Sequence, residues 1–328
     1  MNCIVFSVPG SKVYINRHYK NTPNSFINIS LTGSKCQLMC SHCKAMLLKD
    51  MVDINKFPHV KSSDASGIKS EIEIKSEINP EIKANRLQNI INNFGQDTVK
   101  GMLVSGGFDR HGRLPLDLHV MEEIKEIKSL MKEKIRIFIH LGFVNDEEIK
   151  LIKDSCIDGA LVNIFSERQS IEDVYNLKGF TPQDFYTNLK KIKNAGIKVA
   201  PHLILGLGSR GDIRGEFVSI DEIAKTGADC LVFAIEKKLS KSHRTGYSEV
   251  LSSDVIKLFE YAKKIMPYVP LTLGCARPPG PANENLEIEL LKRGVDAIAF
   301  PSERTVDFAI ENGIDFKFTE QCCAFPSF

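Results

Sequence analysis

From residue 99 almost to the end of the chain, short apolar runs of β character alternate with amphipathic helical stretches, and few folds accept that rhythm. Strands that recur with a helix between them must lie parallel, because each crossover carries the chain back to the same end of the sheet. The strand candidates are FINISL (26–31), GMLVSGG (101–107), IRIFIHLGF (135–143), GALVNIFS (159–166), KVAPHLILGL (198–207), CLVFAIEKK (230–238), PLTLGCA (270–276) and DAIAFPS (296–302). Helical segments fall at about 86–94, 117–132, 146–154, 182–194, 219–226, 253–265, 284–293 and 303–312, several closed by glycine, as in KNAG before IKV and ENG before IDF. Eight such units fit the roughly 250 residues of a closed (β/α)8 TIM-type barrel with an insertion to spare. An open doubly wound sheet is the alternative, since strand order is not written in one sequence. The expected organisation is a single α/β domain over 1–328, with a C-terminal tail (313–328) near the barrel mouth.

One segment breaks the rhythm. Between the first strand and its helix, residues 50–85 carry IKSEI at 68–72 and again at 74–78, a pattern that suits a half-exposed hairpin or a frayed helix equally well. It is read as an insertion, either a solvated flap or a partner-binding lid. Forty-three Lys+Arg against 41 Asp+Glu leave a net charge of +2, which removes the electrostatic argument for nucleic acid or an anionic membrane as the main partner. No apolar run reaches the roughly 18 residues of a membrane span, and the first residues lack the pattern of a signal peptide, so a cytoplasmic protein is expected. Nine cysteines in a reducing compartment argue against a disulfide framework and turn attention to metals or catalysis.

Three of the nine stand together. In TGSKCQLMCSHCKAML (32–47), Cys36, Cys40 and Cys43 have CxxxCxxC spacing directly after the first strand. Three thiolates are one too few for a closed structural zinc site, yet suffice to hold three irons of a cubane cluster and leave the fourth open to a chelating ligand. Three buried thiols, or a zinc site completed from elsewhere, are the plainer readings. This spacing at the end of a first barrel strand resembles the defining motif of the radical S-adenosylmethionine (radical SAM) enzymes. The resemblance implies a 4Fe-4S cluster on Cys36, Cys40 and Cys43 that binds S-adenosyl-L-methionine and splits it to a 5′-deoxyadenosyl radical, which abstracts hydrogen from a substrate. His42 stands where that family prefers an aromatic residue before the third cysteine.

Further strand ends agree with the resemblance. VSGGFDRHG (104–112) places Gly106 and Gly107 where the family has a glycine turn that receives the methionine amino group, with Phe108 in place of the usual glutamate and Asp109 following. LVNIFSER (161–168) ends with Asn163, Ser166, Glu167 and Arg168, which the resemblance assigns to the ribose hydroxyls and the methionine carboxylate. HLILGLG (202–208), with Leu205 and Gly206, is expected against adenine. VNIFSER followed by VYNLKGFTPQDFYTNLKKIKNAGIKVAPHLILGLG (174–208) is similar to biotin synthase and its branch, which includes lipoyl synthase and the hydrogenase-maturation and pyrrolysine-pathway relatives. LGCARPPG (273–280) and TEQCCAF (319–325) look most like archaeal biotin-synthase-related proteins, among them the two-component lipoyl synthase.

That branch implies sulfur insertion in lipoyl- or biotin-type cofactor biosynthesis, fed by a second iron–sulfur cluster. Cys275, Cys322 and Cys323, with Arg277 nearby, are its candidate ligands, or else inert thiols, with the tail folded back over the mouth. A radical SAM isomerase, lyase or methylation-type enzyme with no sacrificial cluster is the alternative, and a cluster- or metal-binding structural or sensory module is the non-enzymatic one. The implied partners are a small-molecule or carrier-protein-bound substrate, an electron donor such as ferredoxin or flavodoxin, and a partner radical SAM subunit. Cys156 and Cys230 read as buried thiols and Cys3 as neutral between readings. His140 and His202 read as core or rim histidines before catalytic ones. Asp109, Arg110 and His111 read as a solvated loop or a substrate contact, Ser302 as a helix N-cap or a rim hydroxyl, and Glu236, Lys237 or Lys238 as reaching the substrate end of the cavity.

Overall fold

The computed structural model describes residues 3–57, 86–131, 134–207, 212–236 and 250–326. Most of the insertion, with both IKSEI copies, and Gly208, Lys237 and Lys238 therefore lie outside the described residues.

All eight expected strands form, and three more join them. In chain order they are β1 (Ile4–Ser7), β2 (Phe26–Ser30), β3 (Val52–Asp53), β4 (Gly101–Ser105), β5 (Arg136–Leu141), β6 (Gly159–Ile164), β7 (Val199–Leu205), β8 (Leu231–Ile235), β9 (Leu271–Leu273), β10 (Ala297–Ala299) and β11 (Phe316–Thr319). They make one curled, wholly parallel sheet in the order β11-β1-β10-β9-β8-β7-β6-β5-β4-β2-β3. The α/β barrel architecture is as expected, but its two ends are not joined strand to strand. Beyond the eighth expected strand, β10, the N-terminal β1 pairs in register Val5↔Ala297, and β11 pairs in turn on β1.

The helices α1 (Arg86–Phe94), α2 (Leu118–Met131), α3 (Asp146–Asp154), α4 (Arg168–Tyr175), α5 (Pro182–Asn194), α6 (Arg214–Thr226), α7 (Ser252–Ile265), α8 (Pro281–Lys292) and α9 (Glu303–Glu311) cover the outside. Their starts are written locally: Asn145 and Glu148 cap α3 reciprocally, and Ser302 caps α9 by accepting from the Thr305 amide, as its spacing predicts. Helix α4 is additional, lying where the sequence suggests only a loop, and it carries Arg168 away from the rim. The main core fills the layer between strands and helices, with Ile29, Val104, Ile139, Ile164 and Leu203 among its strand members.

The C-terminal segment is not a tail over the mouth. After β11 it turns inward, and Ala324 and Phe325 join Phe26, Phe138, Leu161, Ala200, Cys230 and Val232 in a second apolar cluster inside the barrel. Phe325 stacks on Phe138 with ring centroids 5.1 Å apart. Gly159 makes room for it, since a Cβ there would lie 2.3 Å from the Phe325 ring. Gln321 bridges the open seam, its carbonyl accepting from Ser7 Oγ at 2.5 Å and its side-chain amide donating to the Lys100 carbonyl at 3.1 Å. A phenylalanine near a chain end finds more apolar surface inside an unfilled barrel than over a polar rim, which is why the segment enters. Two cysteines depart from expectation or confirm it: Cys230 is buried, whereas Cys156 is exposed, with φ of 58° in the turn before β6.

Candidate functional site

The cysteine loop follows β2 and lies directly on the loop after β4. Gln37 N–H donates to the Phe108 carbonyl at 2.8 Å, and Gly107 N–H donates to Thr32 Oγ1 at 2.6 Å. The approach is so close that a Cβ on Gly107 would lie 1.9 Å from the Lys35 carbonyl oxygen and 2.6 Å from Cys36 Cα. Glycine is required there because the cysteine-bearing backbone occupies the space of a side chain. Within the loop, Met39, Lys44 and Ala45 all have positive φ, an arrangement that costs energy for residues with a Cβ and that turns the chain tightly around Cys40 and Cys43.

Cys40 Sγ, the His42 ring and Cys43 Sγ offer ligand atoms within 4.8 Å of one another. Cys36 is close enough to bear electrostatically on Cys40. The Cys40 thiol and the His42 ring hold the Cys43 thiol down at about 4, and the same contact pushes Cys40 up. His42 Nδ1 is buried without a hydrogen-bond partner, and its ring lies 4.8 Å from that of Tyr175. Thiolate character at Cys43, a second thiol converging on it and an orphaned imidazole nitrogen are the properties of a metal or cluster site rather than of inert core thiols. Iron–sulfur binding by Cys36, Cys40 and Cys43 fits these residues.

The loop borders a cavity of about 580 Å³ that opens into the barrel. Cys36, Cys40, His42 and Cys43 form one wall, Gly106, Gly107 and Phe108 a second, and Asn28, Leu103, Ser105, His140 and Asn163 project from β2, β4, β5 and β6 into it. Phe165, Tyr175 and Phe185 make an aromatic side, with Phe165 4.1 Å from Tyr175 and 4.8 Å from Phe185 between centroids. His140 Nε2 lies 3.1 Å from Asn163 Oδ1, and the His202 ring lies 6.3 Å from the His140 ring. His202 Nδ1 donates to the Ala200 carbonyl at 3.0 Å. Burial lowers both histidines, and the neighbouring His140 helps to bring His202 down to about 4, so both are neutral at physiological pH.

Of the sequence-derived candidates for holding S-adenosylmethionine, His42, Gly106, Gly107 and Asn163 line this cavity. The others point elsewhere. Ser166 Oγ donates to Glu216 Oε1 at 3.0 Å, Glu167 is the N-cap residue of α4, and Arg168 pairs with Glu172 one turn on. Leu205 is in the outer core, and a Cβ on Gly206 would meet Val250 at 2.6 Å. Asp109 Oδ1 accepts from the amides of His111 and Arg113, a loop-building role. The sequence reading passed over Lys12, Asn28, Ser105 and the aromatic side. Asn28 and Ser105 were findable, as polar residues at inward positions of otherwise apolar strands.

The second set of thiols also meets, with Cys323 buried, Cys322 half-buried and Cys275 exposed. Cys323 lies close enough to bear on both Cys275 and Cys322, though the three sulfurs do not converge as tightly as the donors of the loop. The contact with Cys323 pushes the Cys275 thiol well above its usual range. Arg277 does not join them by its guanidinium, which is buried against Glu287 at 2.6 Å and donates to the carbonyls of Gly274 and Phe300.

No family model and no curated protein sequence matches the chain. Among solved structures, the FeFe-hydrogenase maturase HydG from Carboxydothermus hydrogenoformans is similar at TM-score 0.54 and 16% identity, over 92% of this chain and 68% of that one. Methylornithine synthase (PylB) is similar at TM-score 0.52 and 12% identity, over 89% of this chain and 72% of that one. Streptococcus suis SuiB bound to S-adenosylmethionine is similar at TM-score 0.50 and 12% identity, over 77% of this chain but only 51% of SuiB. At such identities the likeness is one of fold. Among the described residues no helix is long and apolar enough to cross a membrane.

Proposed function

We propose that this chain is a radical SAM enzyme that reductively cleaves S-adenosyl-L-methionine at a 4Fe-4S cluster held by Cys36, Cys40 and Cys43. The observation that carries the reading is that Cys36, Cys40 and Cys43 line one wall of an interior cavity, with Cys40, His42 and Cys43 converging there, on a fold shared with a protein solved with S-adenosylmethionine. The cluster, when bound, supplies the electron that turns the sulfonium into methionine and a 5′-deoxyadenosyl radical. The chain's own residues do the rest. Gly107 keeps the loop close, the tilted His42 and Tyr175 rings give an aromatic wall beside it, and Asn163 with His140 offers polar contacts farther in. Phe325 and its neighbours close the barrel below, keeping water from a radical that would otherwise be quenched. Anaerobic reconstitution should give a brown protein that releases 5′-deoxyadenosine under reductant; a colourless protein that leaves the sulfonium intact overturns the proposal.

The finer reading is sulfur insertion in lipoyl- or biotin-type cofactor synthesis on a small or carrier-bound substrate, with Cys275, Cys322 and Cys323 holding a second cluster and a related subunit as partner. The meeting of those three thiols from distant segments supports it. The engagement of Arg277 with Glu287 favours the alternative, an isomerase, lyase or methylation-type enzyme that needs no second cluster. Substituting the three cysteines separates them, because only sulfur insertion then loses its product while 5′-deoxyadenosine release persists.

A further inference from the structure

Resting on the radical reading, we infer that a belt of polar side chains inside the barrel seats the uncharged, hydroxyl-bearing end of a small-molecule substrate, with His140 and His202 as its positioning residues. The belt is written into five neighbouring strands. Along β2, β4, β5, β6 and β7, whose central residues are otherwise buried, Asn28, Leu103, His140, Asn163 and His202 are only half-buried. Four of them stand two residues beyond Phe26, Phe138, Leu161 and Ala200, members of the apolar cluster inside the barrel. The two-residue period of a strand makes them the next inward layer, so an apolar floor carries a polar belt. Asn28, Leu103, His140 and Asn163 line the cavity that the cysteine loop borders, and the His202 ring lies 6.3 Å from that of His140.

The hydrogen bonds within the belt fix what it has left to offer. Asn163 Oδ1 and the Ala200 carbonyl only accept, so His140 carries its proton on Nε2 and His202 on Nδ1. His140 Nδ1 and His202 Nε2 are then bare acceptors, while Asn163 Nδ2 and the Asn28 amide remain as donors without a partner among the described residues. A hydroxyl group complements both kinds, since it donates to an imidazole nitrogen and accepts from an amide at once. A hydrocarbon end would leave all of these groups unsatisfied. An ammonium would lack a counter-charge: among the described residues lining the cavity the carboxylate is Asp50, which is exposed and outside the belt. Burial lowers both histidines, His202 to about 4, which shows how poorly this layer accepts positive charge.

The experiment is saturation-transfer NMR of propane-1,2-diol with the reconstituted holoprotein, S-adenosylmethionine present and reductant absent, against the diol's dimethyl ether and against propane-1,2-diamine. The diol should bind at least about tenfold more tightly than either analogue. His202→Phe, which deletes one acceptor, should weaken the diol about tenfold. His202→Gln, whose Oε1 accepts in place of Nε2, should restore it, which excludes misfolding as the cause. Equal binding of the ether, preference for the diamine, or no diol binding to the unaltered chain each overturn the inference, as does equal diol affinity in His202→Phe. A matching fall in S-adenosylmethionine affinity in His202→Phe also overturns it, since the belt would then hold that molecule's own ribose. Zinc retained by the chain lacking Cys36, Cys40 and Cys43, and lost on adding His202→Phe, overturns it in favour of a metal site. Histidine-dependent diol binding in a chain that leaves the sulfonium intact under reductant would instead overturn the radical reading and leave the belt standing.

Discussion

Cysteines gather twice in this barrel, and the two gatherings are built by opposite means. Cys36, Cys40 and Cys43 come from one loop of eight residues, so little chain entropy is lost in bringing them together. Within it Cys40 and His42 hold the Cys43 thiol down at about 4, while the same contact pushes Cys40 up. Cys275 meets Cys322 and Cys323 only because the whole sheet has curled and the last residues have entered it, and there the contact with Cys323 pushes the Cys275 thiol well above its usual range. The first group is a local device prepared for a soft cation. The second is a product of the complete fold, and its buried member, Cys323, must lose a proton against its neighbour Cys322 and burial before it binds anything.

The sharpest break between them is expected from Cys36→Ala, Cys40→Ala and Cys43→Ala combined. That protein should melt close to the unaltered chain yet lose S-adenosylmethionine cleavage to background after reconstitution. Retained cleavage would end the assignment of the loop. Next in size is Arg277→Ala beside the second group. Its guanidinium is 6% exposed against a Glu287 carboxylate that is 1% exposed and also accepts from Ser302 N–H and Thr305 Oγ1. Stranding that carboxylate should cost about 3–5 kcal/mol in chemical denaturation. A loss below about 1 kcal/mol would mean that Arg277 is free to serve a cluster after all.

A smaller effect probes the loop's seat. Gly107→Ala pushes a methyl group into the Lys35 carbonyl and should cost about 1–3 kcal/mol, with faster alkylation of Cys36 as the loop lifts. Unchanged melting and alkylation would show that the loop is not anchored there. The contrast also explains what the sequence discloses. The loop was legible because its spacing is local, and the eight central strands because runs such as IRIFIHL and LVFAI are apolar on both faces. Strand β1 was not, being four residues at a terminus, nor β11, whose FKFT pattern is half-exposed and reads as tail. The path of residues 320–326 into the barrel depends on space that appears only when Gly101 and Gly159 come to face it, so no local pattern announces it. Helix α4 was masked by the polar, weakly helical run RQSIED, and with it the outward course of Arg168.

The smallest expected effect decides most about the second group. Cys275→Ser and Cys323→Ser each replace a thiol by a hydroxyl of similar shape that can keep the contact between them, so denaturation should shift by no more than about 1 kcal/mol. Iron is the telling measurement. In the chain already lacking Cys36, Cys40 and Cys43, a second cluster leaves iron and acid-labile sulfide bound, and either serine substitution should then remove them. If the loop-deleted chain is already iron-free after anaerobic reconstitution, Cys275, Cys322 and Cys323 are packing thiols of the interior segment. Sulfur insertion would then be excluded for want of a donor, while the loop and its cavity would remain sufficient for the radical chemistry alone.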